Sequence, residues 1–480
     1  MRKISTQILL LVCMTLGLSH WAAAAKLSNQ QQVADCKFTK SGSWWNTAYS
    51  SLPASIANNP VTGSPEFCEF YQFAQDWFLY LISPSANNKK IANWQDPQQY
   101  PLLETAGTNS CDAEFPKNAF NLRTVKSSDP GGEFVLPERI DQAGGVYAIY
   151  DQQGNVVFYE VRFSKNLCDY KKIQLANNFP GKTAELKMAW RILTKKDKKS
   201  DYYTTKAKIN GKNYTLGLIG WHIVVAADNH PEMVWITMDH KGNAVECDAI
   251  NGQQTGYDFT SANCAQNMSS CINLNKTLKS TSITLPSGTK PNDICQEFKY
   301  GTLAGQGIDT PDGLNVALVE KLNTNMDTIF AASGLPKSLK IWSEYRFTGA
   351  LWVSDIAKGS SDSSNQRGSL ELANTVMETE FQGQSGTAGS SVNCFGCHNY
   401  SATSSNTATN AGLSHIFDDV ITGQCKDVTA TSLINNQQQA EQICPGSCSG
   451  AGLKWNGQWT NQNAKTGAQL PMTVCGCCAY

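Results

Sequence analysis

The chain has 480 residues, of which 17 are cysteines, and its formal net charge is -1 at pH 7. A near-neutral chain without long blocks of one charge sign does not favour nucleic-acid binding, and the lysine-rich cluster at residues 195–199 is interpreted as a solvated turn. The length exceeds what one small hydrophobic core organises, so two or three domains are expected.

Residues 1–25 predict a secretory signal peptide. Arg2 and Lys3 form a positive n-region, residues 8–18 an apolar h-region, and residues 23–25 a small-residue cleavage site. Cys13 lies inside the h-region without a lipobox-like residue before it, so no lipid anchor is expected. Later apolar runs are far shorter than the ~18 residues that a membrane span needs. We therefore expect a secreted or periplasmic protein without a membrane span.

Residues 26–421 predict a large domain of mixed α and β structure with antiparallel strands. Apolar residues at helical spacing predict three helices, at 67–82, 314–322 and 370–381. Apolar and β-branched runs separated by turn residues predict two strand pairs, at 146–150 with 156–163 and at 214–226 with 233–238. The expected fold class is α+β.

Two flexible segments rich in Ser, Thr, Asn and Gly lie late in the chain, at 383–391 and 399–412. They bracket a short cysteine motif, which is therefore expected on a loop or a short helix. A short amphipathic stretch at 413–421 follows. Residues 422–480 are dense in cysteine and predict a second, small disulfide-rich module.

The bracketed motif is Cys394-Phe395-Gly396-Cys397-His398, a C-x-x-C-H pentapeptide. Two thiols at this spacing can add to the two vinyl groups of one haem, while the adjacent imidazole coordinates the iron from one face. We expect one covalent haem c attached to Cys394 and Cys397, with His398 as the iron ligand. The alternative is an ordinary disulfide between the two cysteines, followed by an unrelated histidine.

The cysteine count fits both alternatives. Of the 17 cysteines, removing Cys13 leaves 16, and removing Cys394 and Cys397 as well leaves 14. Both numbers are even, so the count supports an oxidising compartment and is silent on the cofactor.

A second axial ligand to the iron has to come from upstream, because only His415 and Met472 follow the motif. His222 and His240 are the distal candidates, since they lie on or beside predicted strands, and Met377 is a third. For each of them a core or turn role without metal is the alternative. An open distal face would favour ligand binding or peroxide chemistry over electron transfer.

Four segments of the large domain, followed by the C-x-x-C-H motif, are similar to a group of secreted bacterial proteins described only as cytochrome c family members. The segments are LKMAWRIL at 186–193, GLIGWHI at 217–223, VWITMDH at 234–240 and LANTVMETE at 372–380. The resemblance covers roughly residues 185–398 and implies a haem-bearing domain without naming a substrate.

The C-terminal module contains the run Gln439 to Pro445, followed after a spacer by Trp455-Asn456-Gly457-Gln458-Trp459. This pair resembles the repeat unit of cyanobacterial mannan-binding lectins, in which an Ala- and Gln-rich helix and a Gly-Gln-Trp turn recur at this spacing. The resemblance covers about residues 429–474 and one repeat. It implies recognition of mannose-rich glycans.

The side chains of the Trp455 to Trp459 turn suit a sugar site. The flat indole faces of both tryptophans can stack on the apolar face of a pyranose, and the amides of Asn456, Gly457 and Gln458 can bond its hydroxyls. The alternative is that both tryptophans fill a small core, because a module this short needs large apolar residues and disulfides to fold.

Motifs of zinc proteases, serine hydrolases and phosphate-binding loops do not occur in the sequence, which assigns no catalytic residue and leaves enzymatic activity open. The sequence favours a secreted or periplasmic c-type haem protein whose mannan-binding module holds it on a glycan surface. Electron delivery, peroxide handling and a purely structural role of the haem all fit, so redox activity targeted to that surface is one open role among these. The protein's expected partners are mannose-rich glycans and a redox partner. The alternative is a non-redox lectin or adhesion protein in which Cys394 and Cys397 form a disulfide.

Overall fold

The computed structural model describes the greater part of the chain. The described residues are 28–38, 44–45, 52–100, 147–169, 179–209, 212–250, 256–280, 282–303, 305–379, 382, 393–398, 400, 413–414, 425–451, 453–462 and 469–478. The predicted signal peptide, most of the two predicted flexible segments and both predicted domain limits lie outside these residues.

Eight α-helices occur among the described residues, several of them only one turn long. They are α1 (Asn29–Asp35), α2 (Phe67–Ile82), α3 (Lys165–Asp169), α4 (Ala262–Gln266), α5 (Pro311–Ala331), α6 (Lys337–Lys340), α7 (Cys394–Cys397) and α8 (Gln437–Gly450).

Fourteen strands accompany them in the described part of the chain. They are β1 (Tyr147–Ala148), β2 (Phe158–Phe163), β3 (Ala184–Ile192), β4 (Thr204–Ile209), β5 (Lys212–Ala227), β6 (His230–His240), β7 (Val245–Glu246), β8 (Leu278–Lys279), β9 (Cys295–Gln296), β10 (Tyr345–Val353), β11 (Gln366–Gly368), β12 (Cys425–Thr429), β13 (Lys454–Gln462) and β14 (Gln469–Cys478).

A seven-stranded antiparallel sheet forms the centre of the large domain, in the order β11-β10-β6-β5-β3-β2, with β4 also paired to β5. Its middle is the hairpin of β5 and β6, which turns between Ala227 and His230. Every residue of β6 is buried, as are the last 12 residues of β5. A sheet covered on both faces reads in sequence as continuous apolar runs, which explains the composition of these strands.

Helices α2 and α5 cover one face of the sheet, here called the helix side. Phe70 of α2 stacks on Trp352 of β10 with ring centroids 4.1 Å apart, and Phe78 packs edge-on against Trp221 of β5 at 6.0 Å. The start of α5 is fixed by Thr310, whose hydroxyl accepts the Gly313 N–H at 3.0 Å, followed by Pro311 in the first turn.

The opposite face carries a second hydrophobic cluster and is here called the motif side. Val224 of β5, Trp235 of β6 and Leu351 of β10 lie together in it. Phe395 and Tyr400 from the C-x-x-C-H region pack against these strand residues. The sheet therefore separates the two long helices from the cysteine motif.

A buried arginine joins several turns at one end of the sheet. Arg191 of β3 pairs with Asp151 at 2.8 Å and with Asp258 at 2.6 Å, and it also contacts Asp197. Asp151 in turn accepts the N–H groups of Gln153 and Asn155. One guanidinium thus satisfies carboxylates from separate loops, as a buried charge requires.

Most of the predicted elements are confirmed. The helix predicted at 67–82 is α2, the helix predicted at 314–322 lies within α5, and the strand pair at 214–226 and 233–238 is the β5–β6 hairpin. The first predicted hairpin is confirmed only at its turn, where Tyr150 and Val156 form an isolated bridge. Strand β1 pairs with β8 and β2 with β3 instead.

The helix predicted at 370–381 is wrong for the residues that the structure describes, since 370–378 form turns and irregular backbone and 379 belongs to a short 3-10 turn. Polar side chains hold this segment against the sheet. Asn374 donates to the carbonyl oxygen of Met238 at 2.9 Å, and the hydroxyl of Thr375 donates to Asp239 at 3.0 Å. These bonds to the sheet replace the local bonds of a helix.

The C-terminal module has its own sheet, in the order β12-β14-β13, with α8 packed on it. Two disulfides join the helix to the central strand, Cys444–Cys475 and Cys448–Cys477. The large domain has three further disulfides in its described part, Cys36–Cys68, Cys247–Cys295 and Cys264–Cys271. The expected α+β class with a disulfide-rich C-terminal module is confirmed.

These five disulfides are typical of a protein from an oxidising compartment. Within the described ranges, the search for a helix with the length and apolarity of a bilayer span found none.

His240 lies buried at the end of β6 with both ring nitrogens engaged. Its Nε2–H donates to the carbonyl oxygen of Asp201 at 2.8 Å, and its Nδ1 accepts the N–H of Gly242 at 3.1 Å. The ring also stacks on Tyr202, with centroids 4.3 Å apart. Burial lowers the pKa of His240 to about 4, so the ring is neutral at pH 7.

Protonation of His240 is expected to weaken the fold in acid. Its folded-state pKa of about 4 lies below its ordinary value of 6.5, so the stability it contributes is complete above the higher value and is lost as the pH falls through the lower one. The loss is on the order of 3 kcal/mol. Urea unfolding at pH 7 and at pH 4 measures it. In the variant His240→Gln, which cannot titrate, the free energy of unfolding should fall less; an equal fall contradicts the prediction.

Loss of Cys448–Cys477 is expected to unfold the C-terminal module. The bridge closes a loop of 29 residues in a module with a small core, so the change to Ser at both positions should cost roughly 2 to 5 kcal/mol. Limited proteolysis should then cleave the module while the large domain resists. The double change at Cys264 and Cys271, which join a loop of 7 residues, is the control and should leave the module resistant. A resistant Cys448→Ser/Cys477→Ser module would refute this.

Candidate functional site

The Trp455 to Trp459 turn is a bulge in strand β13. Trp455 lies opposite Cys477 of β14, and Trp459 lies opposite Cys475, so β13 uses four residues where β14 uses two. A bulge interrupts the ladder and re-aims side chains, and bulges are common beside binding sites. The predicted sugar-binding residues thus sit on an irregular part of the module. The side chains of Asn456 and Gly457 lie outside the described residues.

Trp455 lies in the small core of the module and is 7% exposed. Its ring packs among Ala440, Cys444 and Cys477, and its Nε1–H donates to the carbonyl oxygen of Gln458 at 2.8 Å. This bond crosses the bulge from one end towards the other. Trp455 therefore presents little indole surface to a sugar and stabilises the bulge from beneath.

Trp459 is half-buried, and its position is fixed by helix α8. Its Nε1–H donates to Oε1 of Gln437, in the first turn of the helix, at 2.8 Å. The neighbouring Asn461 donates to the carbonyl oxygen of Ile434 at 3.3 Å. The indole nitrogen is thus held by the protein, and the residue as a whole is only partly buried.

Gln437 is a residue that the sequence analysis missed. Its amide nitrogen Nε2 is buried without a hydrogen-bond partner among the described residues. Asn436, which caps the helix by accepting the N–H of Gln439 at 2.9 Å, is the signal that could have located it. The residue after a helix cap lies in the first turn, where Gln437 meets Trp459.

The C-x-x-C-H motif begins on α7, a single helical turn. Asn393 caps it, accepting the N–H of Phe395 at 3.0 Å, and the N–H of His398 closes the turn on the carbonyl oxygen of Cys394 at 2.8 Å. The side chain of Asn393 also donates to Gln366 and to the carbonyl oxygen of Leu370, both at 2.8 Å. The turn is therefore tied to the segment around β11. The side chain of Cys397 lies outside the described residues.

The turn packs on the motif side of the sheet through Trp235, another residue that the sequence analysis missed. The His398 ring lies against the indole with centroids 4.5 Å apart and planes tilted by 36°. Phe395 contacts the same indole in a T-shaped arrangement, with ring centroids 6.2 Å apart. A histidine coordinates a metal in the plane of its ring, so contact on the ring face is compatible with ligation. The donor set of two cysteines and a histidine at this spacing fits a haem c.

His222, the first distal candidate, lies on the motif side with both ring nitrogens bonded. Nδ1 is 2.8 Å from the hydroxyl of Thr237, and Nε2 is 2.8 Å from Glu378. Burial favours the neutral carboxyl, but His222 and the N–H of Asn374 hold the pKa of Glu378 below its usual value. Glu378 was not anticipated from the sequence. An iron bond to His222 would require one of these two hydrogen bonds to be given up.

The other two distal candidates are also engaged. His240 uses both ring nitrogens in the hydrogen bonds to Asp201 and Gly242 described above. Met377 is fully buried in the same hydrophobic cluster as Phe78 and Trp221. The role of each as an iron ligand stays a prediction.

Comparison with known proteins identifies one part of the chain. A family model described as mannan-binding protein matches residues 437–477. No curated protein and no solved structure matches the chain. The matched residues contain α8, β13 and most of β14, the elements that place Gln437 and Trp459 side by side. The C-terminal part of this protein is a carbohydrate-binding module.

Proposed function

We propose that the protein is exported and binds mannose-rich glycans through its C-terminal module. The observation that carries this proposal is the mannan-binding family match at residues 437–477, which coincides with the pairing of Gln437 and Trp459. The predicted signal sequence and the five disulfides support a secreted or periplasmic location. The domain limits we propose are 1–25, 26–421 and 422–480.

The proposed site combines one stacking surface with several amide groups. Trp459, which is only partly buried, stacks on the apolar face of a pyranose, and Gln437 holds its indole by accepting the Nε1–H. Asn456, Gly457 and Gln458 on the bulge supply the amide groups. Trp455 acts beneath the site, because its ring belongs to the module core. The residues proposed to touch the sugar carry no formal charge, which suits an uncharged glycan.

Trp459→Ala is expected to weaken glycan binding while the module stays folded. Losing one stacked aromatic should remove on the order of 1 to 3 kcal/mol of binding free energy, enough to abolish a weak single-site interaction. Trp455→Ala, a core truncation, should instead cost roughly 3 to 5 kcal/mol of stability. Binding of the full chain to a mannose-rich glycan array and its thermal melting separate the two effects.

Leu433, which is 56% exposed in the same module, provides the control for this experiment. Leu433→Ala should change neither binding nor melting, because its side chain buries little surface. If Trp459→Ala unfolds the module, or if the unmutated protein ignores every mannose-containing glycan, the proposal is wrong.

We also propose that the large domain carries one covalent haem c. The observation that favours it is the C-x-x-C-H motif on a capped helical turn, with the ring face of His398 packed on Trp235. Cys394 and Cys397 would hold the haem by thioether bonds and His398 would ligate the iron. Bound haem supplies a redox-active iron.

Together the two proposals describe a protein that holds redox activity at a glycan surface, with a redox partner that exchanges electrons with it. In the alternative, a non-redox lectin or adhesion protein, Cys394 and Cys397 form a disulfide. Both versions keep the glycan-binding module. The state of the two cysteines therefore decides between them.

Haem should remain attached to the polypeptide through denaturing electrophoresis when the protein is made in a host with cytochrome c maturation. The variant Cys394→Ser/Cys397→Ser should lose it, because both thioether bonds are then absent. Cys264→Ser/Cys271→Ser removes a pair that is disulfide-bonded in the structure and should keep it. A colourless protein whose cysteines are all in disulfides rules the haem out.

A further inference from the structure

Trp235 lies buried on the motif side of the sheet. It lies within β6, with Val224 of β5 opposite on one side and Leu351 of β10 on the other. Its Nε1–H donates to the carbonyl oxygen of Glu232 at 3.3 Å, and the residue is 6% exposed. Backbone pairing, burial and a hydrogen bond thus fix the indole independently of the cysteine motif.

The backbone of the motif is fixed as well, so the remaining freedom of His398 is in its side chain. The Asn393 cap and its bonds to Gln366 and Leu370 hold the start of the turn, and the His398 N–H closes it. The orientation of the imidazole therefore depends on the contacts of the His398 side chain.

The indole of Trp235 contacts two rings of the motif at once. The centroid of the His398 ring lies 4.5 Å from the centroid of the indole. The ring of Phe395, three residues earlier on the same face of the turn, lies at a centroid distance of 6.2 Å. Phe395 is almost fully buried and packs the turn against the indole. The plane of the His398 ring is tilted by 36° from the plane of this indole, which the sheet holds in place.

We propose that Trp235 is a positioning residue that fixes the plane of the His398 imidazole for its bond to the haem iron. This inference rests on the haem proposed above. The indole faces the imidazole ring, whereas the nitrogen lone pair that reaches a metal lies in the ring plane, so the contact orients the ligand without competing for it.

The groups around a ligating histidine tune the metal that it holds. Contacts that orient a ligand typically change metal affinity by 10-fold or more when they are lost, and hydrogen bonding, burial and ligand geometry set the reduction potential of a haem. Removing the indole should therefore change the reduction potential of the iron even where the haem stays attached.

The test compares three variants of the full chain made in a host with cytochrome c maturation. Trp235→Leu removes the ring, Trp235→Phe keeps one, and Trp352→Leu removes an indole from the helix side, where it stacks on Phe70 rather than on the motif. Pyridine haemochrome absorbance gives the haem per chain. Electron paramagnetic resonance of the oxidised protein and the ratio of reduced to oxidised haem at one fixed potential report on the iron.

We expect all three variants to carry haem. In Trp235→Leu the ratio of reduced to oxidised haem should change by about 10-fold and the resonance spectrum should differ from wild type. Trp235→Phe should restore both towards wild type, and Trp352→Leu should leave both unchanged. If Trp235→Leu does not fold, Trp235→Met provides the ring-free side chain, because methionine fills irregular space in cores.

A ring-free variant with the wild-type ratio and spectrum overturns the inference, and so does an equal change in Trp352→Leu. A wild-type protein without haem overturns the haem proposal and this inference together. Failure of the inference alone is thus distinguishable, since it requires wild-type protein that carries haem.

Discussion

Burial of the β5–β6 hairpin on both faces is the constraint on which the large domain depends. The helix side receives α2 and α5, and the motif side receives Leu372, Phe395 and Tyr400 from the chain that follows β11. Because neither face of the buried part meets water, the buried polar side chains of these two strands need hydrogen-bond partners, within the hairpin or from other parts of the protein. The course of the remaining chain follows from where those partners have to lie.

Three polar side chains of the hairpin illustrate this. His222 and Thr237 bond each other, and Glu378 completes their chain. Asp239, whose pKa is raised by burial, accepts the hydroxyls of Thr348 and Thr375. Two of these partners belong to the segment at 370–379, which leads towards the cysteine motif. The hairpin thereby draws that part of the chain onto the motif side.

The limits of prediction from the sequence follow the same division. Helix α2 and the β5–β6 hairpin were predictable, because their apolar spacing and turn residues are local signals. The segment at 370–379 was mispredicted as a helix because its bonds reach Met238 and Asp239, which are distant in sequence.

At the candidate sites, the motif residues themselves were visible in the sequence. The contacts of His398 with Trp235 and of Trp459 with Gln437 were not, because they join separate elements. For Trp455 the sequence left a core role and a sugar-binding role open, since an indole suits both, and the structure buries it. The residue types indicated which chemistry each site could perform. Only the fold shows which side chains lie together in each site.

In the C-terminal module, the spacing of the two disulfide cysteines along the helix matches the spacing of their partners along the strand. Cys444 and Cys448 are four residues apart on a helix, which spans about 6 Å, and Cys475 and Cys477 are two apart on a strand, which spans about 6.6 Å. A slip of β14 by one residue would point both strand thiols to the other face of the sheet and break both bridges. Oxidation therefore selects a single register, and the strand that lies opposite both tryptophans cannot shift while the bridges are intact.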